Sequence, residues 1–355
     1  MNRASPWNAA SCASPHDWAL VLAGGSGRRL AALTRDASGI SVPKQFCSLG
    51  LGESLLQMAL HRAAAIAPPA RTLVDVTQRH EVWWRELSKV MPAENLIVEP
   101  EQRGTGMGIL RALLEILARD PEAALAILPS DHYFSKEETL SAGLRTAMAH
   151  TREDPRHILL LGIAPDDPDP ELGYIVPASA TEQNFRGVRC FVEKPSARRA
   201  RALIKQGALW NSFIIAADGH ALLGMFERRY PVIVSRLRKS LEASVPEAER
   251  GDEVSRLYDQ LPSIDFSRDI LVKNVDLLRV VPLPACGWSD LGTQSRLHRT
   301  LCRHRMKILN APVATPATRG QIDLAKRSWN VTVPDLLATK RRHAAHAARA
   351  RSGRT

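Results

Sequence analysis

No stretch of the 355 residues comes near the roughly 18 uncharged apolar positions that a membrane-spanning helix needs, which excludes one. The opening MNRASPWNAASCASPHDW has no apolar run ahead of Asp17, so a secretory leader is not expected. Cysteine is scarce, and Cys12, Cys47, Cys190, Cys286 and Cys302 stand apart without a Cys-x-x-Cys pair. The ligand spacing of a structural zinc is therefore missing, and reduced thiols in a cytoplasm are the simplest reading. Acidic residues almost vanish from the end of the chain. Residues 296–355 hold 14 Lys and Arg against 2 Asp and Glu, while residues 1–295 hold 34 against 35. The net charge of +11 thus belongs to a tail that is also poor in aromatics for base stacking, and nucleic acid is not expected as a partner. What remains, 45% hydrophobic and 24% charged residues, excludes disorder across the whole chain and suits one large α/β domain or somewhat more.

Short apolar runs alternate with helix-like stretches from the start. Ala19–Ala23, Thr72–Val76, Asn95–Val98, Ala124–Leu128 and His157–Leu161 read as buried strands. Leu55–Ile66, Glu81–Val90, Gly106–Ala118 and Glu137–His150 read as helices between them, the first with Pro68-Pro69 just past its end. This order implies right-handed crossovers and an α/β fold, with a mostly parallel mixed sheet covered by helices on both faces. Past about residue 165 the pattern changes. Asp166–Pro170 is turn-rich, Tyr174–Val176, Val188–Val192, Trp210–Ala217 and Leu277–Pro282 read as strands, Ser196–Gln206 as a basic helix, and 218–260 as mainly helical. Beyond about 300 apolar periodicity is weak, and Lys340–Arg349 either forms a basic helix or stays disordered. At least one ring of the adjacent Trp83 and Trp84 is expected in the core.

In an open α/β sheet, ligands bind outside the carboxyl ends of the strands. The first such end is Leu22-Ala23-Gly24-Gly25-Ser26-Gly27-Arg28-Arg29-Leu30. Glycines there let backbone N–H groups approach phosphate oxygens. The turn lacks both the Gly-Lys-Ser/Thr of a Walker loop and the third glycine of a dinucleotide fingerprint, so alone it is equally a tight strand-to-helix turn. Leu33-Thr34-Arg35 and Pro43-Lys44-Gln45-Phe46 follow it. In this form the segment resembles the opening signature of the sugar-phosphate nucleotidyltransferases, and within them the mannose-1-phosphate guanylyltransferase branch. The resemblance continues in order over roughly residues 18–300. It is carried by Glu99-Pro100-Glu101-Gln102-Arg103-Gly104-Thr105, Leu128-Pro129-Ser130-Asp131-His132, Glu171-Leu172-Gly173-Tyr174-Ile175, Phe191-Val192-Glu193-Lys194-Pro195, Leu209-Trp210-Asn211-Ser212, Ser263-Ile264-Asp265-Phe266 and Gly287-Trp288-Ser289-Asp290-Leu291-Gly292-Thr293.

The resemblance implies a Rossmann-like, glycosyltransferase-A-like domain over 18–300, with a nucleotide half at about 18–165 and a sugar-phosphate half at about 166–300. An N-terminal extension (1–17) and a basic tail (301–355) flank it. It further implies transfer of a nucleotidyl group from a nucleoside triphosphate, GTP by the branch, to a sugar 1-phosphate with release of pyrophosphate, in the cytoplasm. Both reactants are highly anionic, so such chemistry rests on positioning and charge neutralisation. By resemblance Arg29 and Lys44 are catalytic, meeting the phosphates. Leu22, Ala23, Gly24, Gly25, Gly27, Arg103, Thr105 and Pro129 line the nucleotide. Gly173, Glu193, Lys194 and Asn211 hold the sugar phosphate, and Asp131 and Asp290 converge on Mg²⁺. A homo-oligomer stays open.

Several residues have plainer readings. Asp131 alone reads as a helix N-cap, Glu193-Lys194 as a solvated charge pair, Trp210 and Trp288 as packing residues, and His132 as a supporting or surface histidine without a catalytic role. The chain also departs from the family pattern. Arg28 adds a cation, the link Asp36–Val42 is a few residues longer and predicts a lid, Gly104 and Gly106 replace Asn and Ala, Phe213 replaces a glycine, and Gln294 an aromatic. Gly104, Phe213 and Gln294 keep a non-catalytic nucleotide-sugar sensor as a second reading, beside a pyrophosphorylase for another base or hexose.

Overall fold

The computed structural model describes residues 14–35, 39–178, 185–241 and 247–309, except the side chains of Arg28, 247–252 and 305–309. The N-terminal extension up to residue 13, part of the proposed lid (36–38) and the tail past 309, including Lys340–Arg349, lie outside the described residues. Among the described residues no helix is long and apolar enough to cross a membrane.

Among the described residues nine strands and the helices between them follow in chain order. They are β1 (Asp17–Leu22), α1 (Leu55–Ala64), β2 (Thr72–Thr77), α2 (Glu81–Trp84), β3 (Leu96–Glu99), α3 (Thr105–Arg119), β4 (Ala124–Pro129), α4 (Glu137–Glu153) and β5 (Ile158–Ile163). Then come β6 (Gly173–Pro177), β7 (Arg186–Glu193), α5 (Ala197–Lys205), β8 (Leu209–Asp218), α6 (Gly219–Arg229), α7 (Pro231–Ser240), α8 (Glu247–Gln260), β9 (Leu278–Leu283) and α9 (Gln294–Leu309). The strands form one mixed sheet in the order β3-β2-β1-β4-β8-β5-β9-β7-β6. The described residues divide into two compact units, the larger built from those up to Gly25 and Leu55–Leu291, the smaller from those of Ser26–Ser54 and from Gly292 onward. The whole sheet lies in the larger unit.

Alternation explains why the early strands read as unbroken apolar runs. Trp18 and Leu20 of β1 and Leu125 and Ile127 of β4 join one core cluster with Leu110 and Leu113 of α3 and Phe226 of α6. The intervening Ala19, Val21, Ala126 and Leu128 are just as buried, and α1 packs on both strands and α4 on β4. Both faces of the sheet are therefore covered, and each strand can carry an apolar residue at every position.

Three of the four parallel pairs gather in β1, β2, β3 and β4, and the fourth joins β5 to β9. The sheet does not continue from β4 to β5. Instead the ten-residue β8 lies antiparallel between them, paired with Ala124–Ile127 on one side and Leu159–Ile163 on the other. This brings Asn211, near the start of β8, beside Gly162, and it ties the sugar-motif strands β6 and β8 together at Tyr174 and Trp210.

Three local expectations need correction. The helix read over Glu81–Val90 is one α-helical turn followed by a 3-10 turn at Arg85–Lys89. Neither Trp83 nor Trp84 is core; both are half-buried. The Trp84 indole Nε1–H donates to the Thr77 carbonyl at 2.8 Å, and Trp83 sits edge-on to His80, so these rings hold a surface turn against the end of β2. Finally, α9 runs through residue 300, where apolar periodicity looked weak; Leu297 is fully buried within it, but one buried leucine in a basic helix leaves little periodic signal.

Candidate active site

In the larger unit β1 ends under the glycine turn. Leu22 pairs with Pro129 of β4, and the Ser130 N–H donates to the Leu22 carbonyl at 3.1 Å, so the Leu22–Gly25 and Pro129–Asp131 segments leave the sheet side by side. Ala23 N–H donates to the Asp75 carbonyl at 2.7 Å. A Cβ on the buried Gly24 would stand 3.3 Å from Asp75 Oδ2, 3.4 Å from Thr77 Cγ2 and 3.5 Å from Glu99 Oε2. Two carboxyls therefore converge beneath the turn, both almost wholly buried. Glu99 Oε1 accepts from the Tyr258 hydroxyl at 3.1 Å, and the Arg111 guanidinium lies over the Tyr258 ring while donating to the Val98 carbonyl at 2.8 Å. Burial is the largest cause pushing Asp75 well above the carboxylate range, with Glu99 adding to it. Burial likewise lifts Glu99 to about 7, against the opposing pull of Tyr258 and Arg111. Two carboxyls this close in a dry site resist being ionised together. The sequence reading missed the pair, although a lone charge inside Leu73-Val74-Asp75-Val76 was its signal.

Arg103 and Thr105 sit on a second segment at the start of α3. There Ile264 N–H donates to the Arg103 carbonyl at 2.9 Å, Gly106 N–H donates to the Ile264 carbonyl at 2.8 Å, and Phe266 N–H donates to Thr105 Oγ1 at 3.1 Å. Gly104 has φ +83°, and a Cβ there would overlap the Ile264 carbonyl oxygen; one on Gly106 would stand 2.5 Å from Ile264 Cγ2. The two glycines that replace Asn and Ala of the family pattern are thus what admits Ile264. Asp131 is not a helix cap, since the next helix begins only at Glu137.

The sugar-motif residues form one cluster in the same unit. Gly173 pairs with Glu193 across β6 and β7, and a Cβ on Gly173 would stand 2.6 Å from Glu193 Oε2 and 3.3 Å from Asn211 Cβ. Gly173, Glu193 and Asn211 are therefore brought together, with Glu193 half-buried and Asn211 buried. Burial first, then the nearby Asp265, pushes Glu193 up to about 7, while Lys194 and Arg268 pull it down. Lys194 is exposed and held at φ +45°, its N–H donating to the Leu172 carbonyl at 3.2 Å. Phe213 adopts φ +58°, a left-handed conformation natural to the glycine it replaces and costly for phenylalanine. Its N–H donates to Asn211 Oδ1 at 3.0 Å, which fixes the Asn211 amide.

Asp131 and Asp290 lie on loops joined by a bridge in which Tyr133 and Ser289 exchange backbone hydrogen bonds of 2.8 and 2.9 Å. Trp288 Nε1–H donates to His132 Nδ1 at 3.2 Å, and the Trp288 ring also meets Trp210, next to Asn211. Trp210, Trp288 and His132 thus link the sugar cluster to the carboxylate loops, so they pack and position together. Among the described residues no group of three or more His, Cys, Asp or Glu could hold a metal. Two carboxylates remain, hard oxygen donors of the kind Mg²⁺ takes alongside phosphate oxygens and water.

In the smaller unit Gly27 has φ +61°, and a Cβ there would stand 2.9 Å from the Lys44 backbone nitrogen. The Gly27 turn and the Pro43–Phe46 turn are therefore in contact within that unit. Lys44 is buried and Arg29 exposed, both beside backbone turns. The Arg28 side chain lies outside the described residues.

A glycine turn at the end of the first parallel strand, with carboxylate loops and a polar cluster at the ends of later strands, defines an α/β nucleotide-handling protein. The family model described as "Nucleotidyl transferase" matches residues 18–305, and the chain belongs to that family. A mannose-1-phosphate guanylyltransferase from Escherichia coli (strain K12) is 31% identical over 290 residues, covering 78% of this chain and 58% of its own. The xanthan biosynthesis protein XanB of Xanthomonas campestris pv. campestris (strain B100) is 30% identical over 282 residues with the same coverage. This chain thus spans a little under three-fifths of the length of these relatives. A solved structure from Thermus thermophilus, described as a mannose-1-phosphate geranyltransferase, superposes with a TM-score of 0.69 at 30% identity, covering 81% of this chain and 79% of that one.

Proposed function

We propose that this protein is a nucleotidyltransferase that joins a nucleoside triphosphate to a sugar 1-phosphate and releases pyrophosphate, with GTP and mannose 1-phosphate as substrates, in the cytoplasm. The observation that carries the reading is the juxtaposition of the Gly173–Glu193–Asn211 cluster with the Asp131 and Asp290 loops through Trp210, Trp288 and His132. The relatives named as mannose-1-phosphate guanylyltransferases support the substrate pair.

In this reading Leu22–Gly25, Pro129, Arg103 and Thr105 receive the nucleotide, and Gly27 keeps its turn close to Lys44. Arg29 and Lys44 neutralise the phosphates. Glu193, Asn211 and the Gly173 backbone take the sugar hydroxyls, and Lys194 takes the sugar phosphate. Asp131 and Asp290 would hold Mg²⁺, which supplies charge neutralisation to the transferring phosphoryl group. The protein's own share is orientation. The Tyr133–Ser289 bridge fixes the two carboxylate loops against each other, and the Phe213 N–H fixes Asn211. The departures at Gly104 and Gly106 serve packing against Ile264 and give no support to a sensor that has lost catalysis.

The test is pyrophosphate release by the full chain with Mg²⁺, GTP and mannose 1-phosphate, beside a panel of other triphosphates and sugar phosphates. Turnover with GTP and mannose 1-phosphate is expected, and Asp131→Asn should lower kcat by about 100-fold or more. Folded protein inactive with every pair would refute the reading.

Glu193 gives the reaction a pH dependence. Its carboxylate accepts hydrogen bonds from hydroxyls more strongly than its acid form does. We expect kcat/KM for the sugar phosphate to climb as pH rises through about 7, where Glu193 ionises. Glu193→Gln should lower kcat/KM and remove that inflection; an unchanged profile in the variant would assign it to another group.

A further inference from the structure

Arg62, on α1, takes no part in the chemistry above, yet its side chain is 3% exposed. Among the described residues its hydrogen bonds go to one segment of chain, the one that runs from His132 to Glu137. Its Nη1–H donates to the His132 carbonyl at 3.1 Å. Its Nε–H is shared by the two Glu137 carboxylate oxygens at 3.0 and 3.2 Å, and its Nη2–H donates to Glu137 Oε1 at 2.8 Å. The guanidinium also lies 4.9 Å from the centroid of the Phe134 ring. Three points on a six-residue loop are therefore held by one planar group, which suits arginine and not lysine.

That loop carries the carboxylate site. Asp131 precedes the residue whose carbonyl Arg62 holds. Tyr133 follows it and makes the bridge to Ser289, next to Asp290. Further along, the Ser135 and Lys136 N–H groups both donate to the Cys286 carbonyl at 3.1 Å. His132 is fixed from both sides, its carbonyl by Arg62 and its Nδ1 by Trp288. The His132–Tyr133 peptide, just after Asp131, and the bridge to Asp290 that Tyr133 makes thus share one buried anchor. A guanidinium is costly to bury unless it is fully hydrogen-bonded, and this one spends its bonds on the metal-loop backbone and the carboxylate at the loop's far end.

We infer that Arg62 is a positioning residue which, through the His132 carbonyl, sets the Asp131 carboxylate for a divalent cation shared with Asp290. The inference rests on the reading of Asp131 and Asp290 as the cation site. Removing the anchor leaves both acids in place but lets their loop relax. The cation then binds more weakly and kcat falls, while the sugar cluster on β6, β7 and β8 keeps its contacts.

The experiment compares wild type, Arg62→Gln, Arg62→Lys, Glu137→Gln and Asp131→Asn as full chains. Thermal melting establishes which are folded. Binding of Mn²⁺ in the presence of GTP is read from the loss of the free-ion electron paramagnetic resonance signal, and kcat and the KM for mannose 1-phosphate are measured with Mg²⁺. Partners that orient metal ligands are commonly worth about 10- to 100-fold in metal affinity. Arg62→Gln should weaken Mn²⁺ by about tenfold or more, with a parallel fall in kcat and a sugar-phosphate KM within about twofold of wild type. Arg62→Lys should recover only part of the loss. Mn²⁺ affinity and kcat both within twofold of wild type in folded Arg62→Gln, beside a defective Asp131→Asn, would overturn the inference alone. Should Arg62→Gln fail to fold, Glu137→Gln, which loosens the anchor without deleting it, should still weaken Mn²⁺ about threefold. Wild-type Mn²⁺ affinity there would equally overturn it. Asp131→Asn that binds Mn²⁺ like wild type would overturn the cation assignment and this inference with it.

Discussion

Replacing Gly104 by alanine should cost the protein about 3–5 kcal/mol of stability and lower its melting temperature by roughly 10 °C. The backbone at Gly104, φ +83° and ψ 163°, falls in a region that essentially only glycine occupies. The new Cβ would overlap the Ile264 carbonyl oxygen and stand 2.8 Å from its carbon. That carbonyl cannot withdraw cheaply, because it accepts from the Gly106 N–H at 2.8 Å, while the Ile264 N–H donates to Arg103. Gly106→Ala meets a different obstacle, the Ile264 Cγ2 at 2.5 Å, with the carbonyl oxygen at 2.9 Å. Ile264→Ala should therefore rescue Gly106→Ala in part and leave Gly104→Ala unrescued. Melting curves of the three single variants and two doubles check this. Equal rescue of both would show that side-chain crowding, and not the backbone, sets the cost. Since Arg103 and Thr105 are carried by the same interlock, the KM for the triphosphate should rise in Gly104→Ala even where the protein remains folded.

That interlock also marks the limit of what was legible in the sequence. Strand and helix positions were readable because β4 and β5 are apolar throughout, β1 and β2 nearly so apart from Asp17, Asp75 and two threonines, and the helices between them carry a face. The motifs were readable because each is a short run of special residues at a strand end. Contacts between segments distant in the chain were not. Nothing local in Trp210–Ala217 says that this strand inserts between β4 and β5. Nothing around Gly104 announces Ile264, and its replacement of the family's Asn did not show that it makes room for a backbone. Phe213 was visible as a departure, but its cost was not, because a left-handed φ cannot be read from residue type when the residue is phenylalanine. Arg62 carried no signal at all. A basic residue near a helix C-terminus is ordinary, and only burial against His132 and Glu137 gives it meaning.

Glu99→Gln should raise stability by on the order of 3 kcal/mol at pH 8, and by almost nothing below about pH 4.5. The sign follows from the direction of the shift. Burial lifts Glu99 from 4.5 to about 7 and Asp75 well above its usual range, so the folded state holds protons that the unfolded chain releases. Where the unfolded state binds fewer protons, stability falls as pH rises. It is therefore fully present below pH 4.5 and is lost as pH climbs through about 7, where the folded protein must ionise Glu99 beside Asp75 in a dry site. Glutamine keeps the acceptor for the Tyr258 hydroxyl and offers an N–H toward the Asp75 side, without the charge. Asp75→Asn should act in the same direction, because it replaces the other carboxyl that burial holds protonated. Urea unfolding of wild type and both variants at pH 4.5, 6 and 8 reads the effect; a stability gap independent of pH would sink the argument. Two carboxyls beneath Gly24 violate the rule that buried charge is paired or absent, and such violations gather where a protein handles ligands. If the pair serves the glycine turn, the stabilised variants should bind the triphosphate less well, with KM rising as stability rises.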